Sequence, residues 1–196
     1  MAQKRSYTGL IIAAVVIVII ISLISWYVGA RNTLVRMDEQ VSASWSEVEN
    51  QLQRRSDLIP NLVNTVRGFA EQEEEIFTSI ADARARLAGA GSVEETAESY
   101  GELQSALSRL LVIVENYPQL RSNENFIRLQ DELAGTENRI AVARRRYNES
   151  VRQSNTRIRT FPTAIIASQL GFEARTYFEV DEEDMEVPEV DFGNDE

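Results

Sequence analysis

Neither cysteine nor histidine occurs among the 196 residues. Their absence removes disulfides, thiolate nucleophiles, imidazole general bases and the Cys/His zinc sites together, which closes much of ordinary enzyme chemistry to the chain. The missing cysteines suit a reducing and an oxidising compartment equally. Proline is scarce, with four residues, and no run of alternating β-branched residues of the kind that builds a sheet is present. What the chain does have is helical periodicity and unevenly placed charge.

Gly9 to Val28 is a run of 20 residues without a charge, dominated by Ile, Val, Leu and Ala. At about 1.5 Å per residue it makes ~30 Å of helix, the thickness of a bilayer's hydrocarbon core. Lys4 and Arg5 ahead of it and Val28-Gly29-Ala30 behind it also fit a signal peptide, but the apolar stretch of such a peptide is usually ~7 to 15 residues. Residues 1–8 therefore read as an N-terminal flank and 9–28 as an uncleaved transmembrane helix. The bilayer becomes a partner and the cell membrane the location, with a single pass. Trp26 and Tyr27 suit an interfacial aromatic belt, or are ordinary apolar filler. Lys4 and Arg5 nearly balance Arg31 and Arg36 under the positive-inside rule, leaving the side of the soluble part open.

Beyond the apolar run, Leu34, Val41, Trp45, Val48, Leu52, Ile59, Leu62, Val66, Phe69, Ile76, Ile80 and Leu87 recur at steps of three, four or seven. This spacing predicts one helix from about residue 31 to 88, with a coiled-coil-like seam, ended by Gly89-Ala90-Gly91. Pro60 lies inside it, where the missing N–H strands the carbonyl of Ser56 and should bend the rod. Ser92 and Glu95 make a capping box for a second helix that carries Tyr100, Leu103, Leu107 and Leu110 and stops at Tyr117-Pro118. A third starts near Ser122 or Asn123, aligns Phe126, Ile140, Ala143, Tyr147, Val151 and Ile158, and is closed by Phe161-Pro162. A short apolar piece, Ala164 to Leu170, and the anchors Phe172, Tyr177 and Phe178 follow. The predicted fold is all-α: the N-terminal transmembrane helix, then over 29–180 an elongated antiparallel bundle of three long helices plus a short C-terminal helix. Residues 181–196 hold nine acids and no base, the pattern of a disordered, solvated tail, and they carry most of the formal charge of −11.

Residues 139–160 concentrate Arg139, Arg144, Arg145, Arg146, Arg152, Arg157 and Arg159 against one acid, Glu149. Arg145, Arg152 and Arg159 are seven apart and share a helix face. That stripe is neutralised internally by Glu71, Glu73, Glu74 and Glu75 or by the tail, or it grips an external anion such as a lipid headgroup. Nucleic acid is excluded as a partner, because the chain is net acidic and no stacking aromatics interleave the arginines. The four glutamates diverge around a helix rather than converging on a cation, and di-iron bundles need histidine, so no metal, cofactor or catalytic residue is assigned. Around Pro60, Arg54, Arg55, Asp57, Asn61 and Asn64 can satisfy the stranded carbonyl, bridge to Glu137, Asn138 or Arg139 on another helix, or form a recognition surface.

Three collinear stretches, RRSDLIPNLVNTVRGFAEQEEEI, YPQLRSNENFIRLQDELAGTENRIAVARRRYNESV and NTRIRTFPTAIIASQLGF followed by YFEV, resemble the LemA family. The resemblance covers roughly residues 31–180 together with the N-terminal span, and the tail after 180 does not match. It implies a long-helix bundle projecting from a bacterial or archaeal membrane, without an established catalytic activity, and with relatives connected to magnetosome membrane formation. Arg55, Asp57, Pro60, Asn61, Asn123, Asn125, Glu137, Asn138, Arg139, Tyr147, Asn148 and Pro162 match its motifs and become candidate contact or structural positions. The expected role is a non-enzymatic interaction or scaffolding module whose partners are membrane or membrane-associated proteins, or a second copy of the chain. A lipid-contacting or membrane-remodelling protein is the alternative.

Overall fold

The computed structural model describes residues 7–180, so the expected acidic tail lies outside the described residues. Six helices follow one another: α1 (Tyr7–Arg67), α2 (Glu74–Gly89), α3 (Val93–Val114), α4 (Pro118–Arg121), α5 (Glu124–Arg159) and α6 (Thr163–Leu170). No strand occurs among the described residues, and the all-α expectation holds. The chain divides into two compact units. The first takes in residues 7–43 and 149–175, the second 44–148 and 176–180. Both α1 and α5 contribute to each.

The helix expected to run to residue 88 stops at Arg67 instead. Gly68 follows, the amides of Phe69 and Ala70 both return to the carbonyl of Val66 at 2.9 and 3.0 Å, and Glu73 N donates to Ala70 O at 3.2 Å. Phe69, read as part of the seam, is exposed, while Ala70 fills the buried position. The acidic run belongs to the start of α2, with Glu74 and Glu75 in its first turn, where carboxylates complement the positive end of the helix dipole. Pro60, by contrast, sits within α1 without breaking it.

With that break, the second unit packs four helical segments rather than three. Ile59, Leu62 and Val66 of α1, Ile76, Phe77 and Ile80 of α2, Leu103, Leu107 and Leu110 of α3, and Phe126 of α5 belong to one buried cluster. Neighbours run antiparallel: on α1 and α2, Ser56 meets Arg84 and Arg67 lies over Phe77. On α2 and α3, Ser79 meets Arg109 and Arg86 meets Glu102. The capping box forms as expected, Ser92 Oγ accepting from Glu95 N at 3.1 Å, although the Glu95 carboxylate accepts from Gly91 N at 2.7 Å. The short turn α4, opened by Pro118, is an element the periodicity did not show.

In the first unit Ala30 and Leu34 of α1, Ile158 of α5, and Ile166 and Ala167 of α6 form a smaller buried cluster, with Phe172 packed against it. Gly171 ends α6 at φ 73°. Its amide returns to Ser168 O and that of Phe172 to Ala167 O, a Schellman closure that needs the left-handed residue. Asn155 clamps the next stretch: its side chain donates to Arg175 O and accepts from Arg175 N, both at 2.8 Å, while Arg175 pairs with Asp38 at 2.7 Å.

Candidate functional site

The densest polar constellation among the described residues lies inside the second unit. Arg55 projects inward from α1 and is 7% exposed. One of its Nη atoms donates to the hydroxyl of Tyr100 at 3.4 Å, Tyr100 donates to Glu137 Oε2 at 2.5 Å, and Arg55 pairs directly with Glu137. Three helices are thereby tied in one closed ring. Burial pushes the Arg55 guanidinium below its usual range, opposed by Tyr100. Burial likewise pushes the Tyr100 phenol up, opposed by Arg55 and Arg144. The phenol is thus held neutral near pH 7. Removing one member of such a pair leaves a charge buried and uncompensated, the costly case for a buried ion pair.

Beside the ring an extended segment lays Phe178 into the helices at 0% exposure. Its ring lies 6.2 Å from Tyr100 and 6.0 Å from Trp45, and Trp45 in turn lies 5.1 Å from Tyr147. The Arg144 guanidinium sits 4.9 Å over the Phe178 ring, a cation–π contact, and burial lowers its pKa. An extended segment against helices has no ladder for its backbone, and side chains of α5 supply one. Asn148 donates to Phe178 O at 3.0 Å and accepts from Phe178 N at 2.9 Å, and Tyr147 OH donates to Thr176 O at 2.8 Å.

The proline of α1 is used rather than merely tolerated. Because residue 60 brings no N–H, the carbonyl of Ser56 is free to accept from elsewhere, and Arg84 Nε of α2 donates to it at 3.1 Å and to Ser56 Oγ at 3.0 Å. Of the roles open to Arg54, Arg55, Asp57, Asn61 and Asn64, the stranded carbonyl goes instead to Arg84 of α2, while Arg55 makes the bridge to Glu137 on another helix. Asp57 accepts from Gln53 on its own helix, and Asn61 is exposed, its carbonyl taken by Thr65.

The remaining sequence candidates separate cleanly. Asn123 caps α5, its Oδ1 accepting from the amides of Asn125 and Phe126, and Asn125 accepts from Arg128. Asn138 and Arg139 are exposed and line a shallow groove with Glu47, Gln51, Val142 and Arg146, away from the bridge expected of them near Pro60. Arg145, in the second unit, and Arg152 and Arg159, in the first, are all exposed. Arg152 pairs with Glu149 of its own helix at 2.6 Å, and that contact holds the Glu149 carboxyl below the usual range. Pro162 opens α6 after a cis Phe161–Pro162 bond. No three His, Cys, Asp or Glu residues among the described residues converge as a metal site would require. Sequence reasoning missed the polar roles of Tyr100, Arg84, Arg144, Asn155 and Arg175. Asn155, one heptad from Asn148, carried a usable signal, being an amide at a seam position of a helix.

Comparison with known proteins follows the same span. The model of the LemA family matches residues 44–192, starting later than the motifs suggested and running past residue 180, so part of the acidic stretch matches after all. The chain is 28% identical over 174 residues to magnetosome protein MamQ 1 of Paramagnetospirillum magneticum, covering 76% of this chain and 64% of that protein. It is 29% identical over 173 residues to magnetosome protein MamQ of Magnetospirillum gryphiswaldense, covering 75% and 64%. Against protein LemA of Metamycoplasma hominis it is 25% identical over 158 residues, covering 80% and 72%. It therefore spans less than two thirds of the length of the two magnetosome proteins.

Proposed function

The chain belongs to the LemA family, and from that premise we propose that it is a single-pass membrane protein whose helical part is a non-enzymatic interaction or scaffolding module. The observation that carries this reading is the start of α1. Residues from Leu10 to Val28 form helix with their large apolar side chains exposed, and the stretch is long and apolar enough to cross a membrane. A helix that is apolar all round and covered by none of the described residues suits a lipid solvent. Two of the matched relatives are magnetosome proteins by name, which is compatible with work at a membrane.

The inward-facing polar groups support the non-enzymatic part. Arg55, Tyr100 and Glu137 bond to one another across α1, α3 and α5, which is what groups that fix helix register do. The exposed apolar residues of the second unit, Val112, Ile127 and Val142, offer contact points for a partner. Photo-crosslinkers placed singly at these three positions in native membranes test the reading. Adducts of the same protein, this chain's second copy included, are expected from neighbouring positions. Adducts to lipid alone at all three would overturn scaffolding. A second reading, a protein acting on lipid itself, draws on the exposure of Phe161 and Ile165 in the first unit.

A further inference from the structure

Among the described residues, one side of α6 is covered and the other is not. Thr163, Ile166 and Ala167 are buried, while Ile165 is 55% exposed and Phe161, just ahead of the helix, 78%. Among the described residues no large apolar side chain is more exposed than Phe161. A lone exposed apolar residue needs no explanation; the level at which this pair sits does.

The buried side of α6 rests in a cluster with Ala30 and Leu34 of α1 and Ile158 of α5. Ala30 and Leu34 lie only two and six residues past Val28, the end of the apolar run. Along a helix that is about 3 and 9 Å, and the headgroup layer flanking the hydrocarbon is itself roughly 5–8 Å deep. In this unit α5 runs against α1. Arg175 is held both by Asp38 and by Asn155, whereas Ile158, later on α5, meets the earlier α1 residues. Continuing α5 beyond Ile158 therefore carries the chain toward the apolar run, to Phe161. Arg31 and Arg159 are exposed and adjoin Ala30 and Ile158 of that cluster in sequence.

We propose that Phe161 and Ile165 form a second, shallow membrane contact beside the anchor, with Arg31 and Arg159 set against lipid phosphates. This inference rests on the reading of residues 9–28 as a membrane span. Aromatic and aliphatic side chains at that depth lie at the boundary of headgroup and acyl chain, and guanidinium groups match anionic headgroups. The contact fixes the first unit's rotation about the anchor axis, which a single helix leaves free.

The absence of native cysteine allows single labels in the full chain. Ile19→Cys, Phe161→Cys, Ile165→Cys and Glu39→Cys, each carrying an environment-sensitive fluorophore, are reconstituted in vesicles of phosphatidylcholine and phosphatidylglycerol, with or without brominated lipid. Circular dichroism equal to the unsubstituted chain verifies each fold. The labels at 161 and 165 are expected to lose intensity with lipid brominated high on the acyl chain and to resist aqueous iodide, while the label at 39 responds to iodide alone. Labels at 161 and 165 that behave like that at 39, with the label at 19 still quenched by bromolipid, would overturn the contact and leave the anchor standing. An unquenched label at 19 would remove both. Protection from iodide without bromolipid quenching would mean that protein covers the pair, and would also overturn the proposal. Replacing Arg31 and Arg159 together by Gln is expected to abolish any gain in quenching that phosphatidylglycerol gives over phosphatidylcholine alone; an undiminished gain would contradict the phosphate contacts.

Discussion

Ile59, Leu62 and Leu103 in the second unit are 1% exposed, whereas Ile11, Ile17, Ile21 and Leu23 in the first unit are each more than half exposed. The residue types are nearly the same and lie partly on one helix, α1. What separates them is pattern: apolar residues at three- and four-residue steps leave a polar face and build a protein core, while an unbroken run has no polar face to turn to water. The second unit pairs the Arg55 guanidinium with Glu137 inside its own helices. The first leaves apolar surface that no other described residue covers.

The comparison breaks most directly at Phe178. Truncating Phe178 to Ala removes a fully buried ring and the surface under Arg144, and the loss expected is about 4 kcal/mol, read as a lowered denaturant midpoint by circular dichroism. A loss within experimental scatter would mean that the extended segment is not part of the core. Glu137→Ala comes next, at about 3 kcal/mol, because Arg55 stays buried without its partner. Replacing Arg55 by Met and Glu137 by Leu together is expected to restore much of it, and a double variant as unstable as the single one would show that the pair acts otherwise.

Smaller is the effect of Arg84→Ala, about 1.5 kcal/mol for a charged hydrogen bond. In a Pro60→Ala background the new amide at residue 60 can take the Ser56 carbonyl, so the same change should matter less. Equal losses in both backgrounds would disconnect Arg84 from the proline. Smallest at neutral pH is Tyr100→Phe. Burial raises the phenol's pKa in the folded state, so its contribution is complete below the ordinary tyrosine value of about 10 and falls as pH rises from there through the folded value. The variant should flatten the alkaline decline of stability; an unchanged decline would assign it to other groups.

Much of this fold was legible because it follows periodicity. The buried positions Leu34, Val41, Val48, Leu52, Ile140, Tyr147 and Val151 stand where the steps put them, and Ser92 caps α3 as its spacing with Glu95 suggests. The break after Arg67 was hidden because Phe69 continues the spacing while the burial passes to Ala70, a residue with little apolar signal. Beyond the bend expected of it, Pro60 leaves a vacated carbonyl that is filled across to α2, which depends on a residue 24 positions away in sequence. Of the candidate residues, Arg55, Glu137, Tyr147 and Asn148 converge around the Tyr100 and Phe178 side chains; the Arg55–Glu137 bridge was among the expectations, whereas the parts of Tyr100 and Phe178 are long-range contacts that leave no local trace. Asp57, Asn61, Asn125, Asn138 and Arg139 sit at the surface, where a motif alone does not separate contact from solvation.

The central claim is that residues 9–28 hold the chain in a bilayer while the helical remainder stands in water. Alkaline carbonate washing of membranes containing the full chain tests it most directly. The account predicts that the chain stays with the membrane pellet and that the same chain lacking residues 1–28 moves to the supernatant with its helical circular dichroism intact. Recovery of the full chain in the supernatant would contradict it.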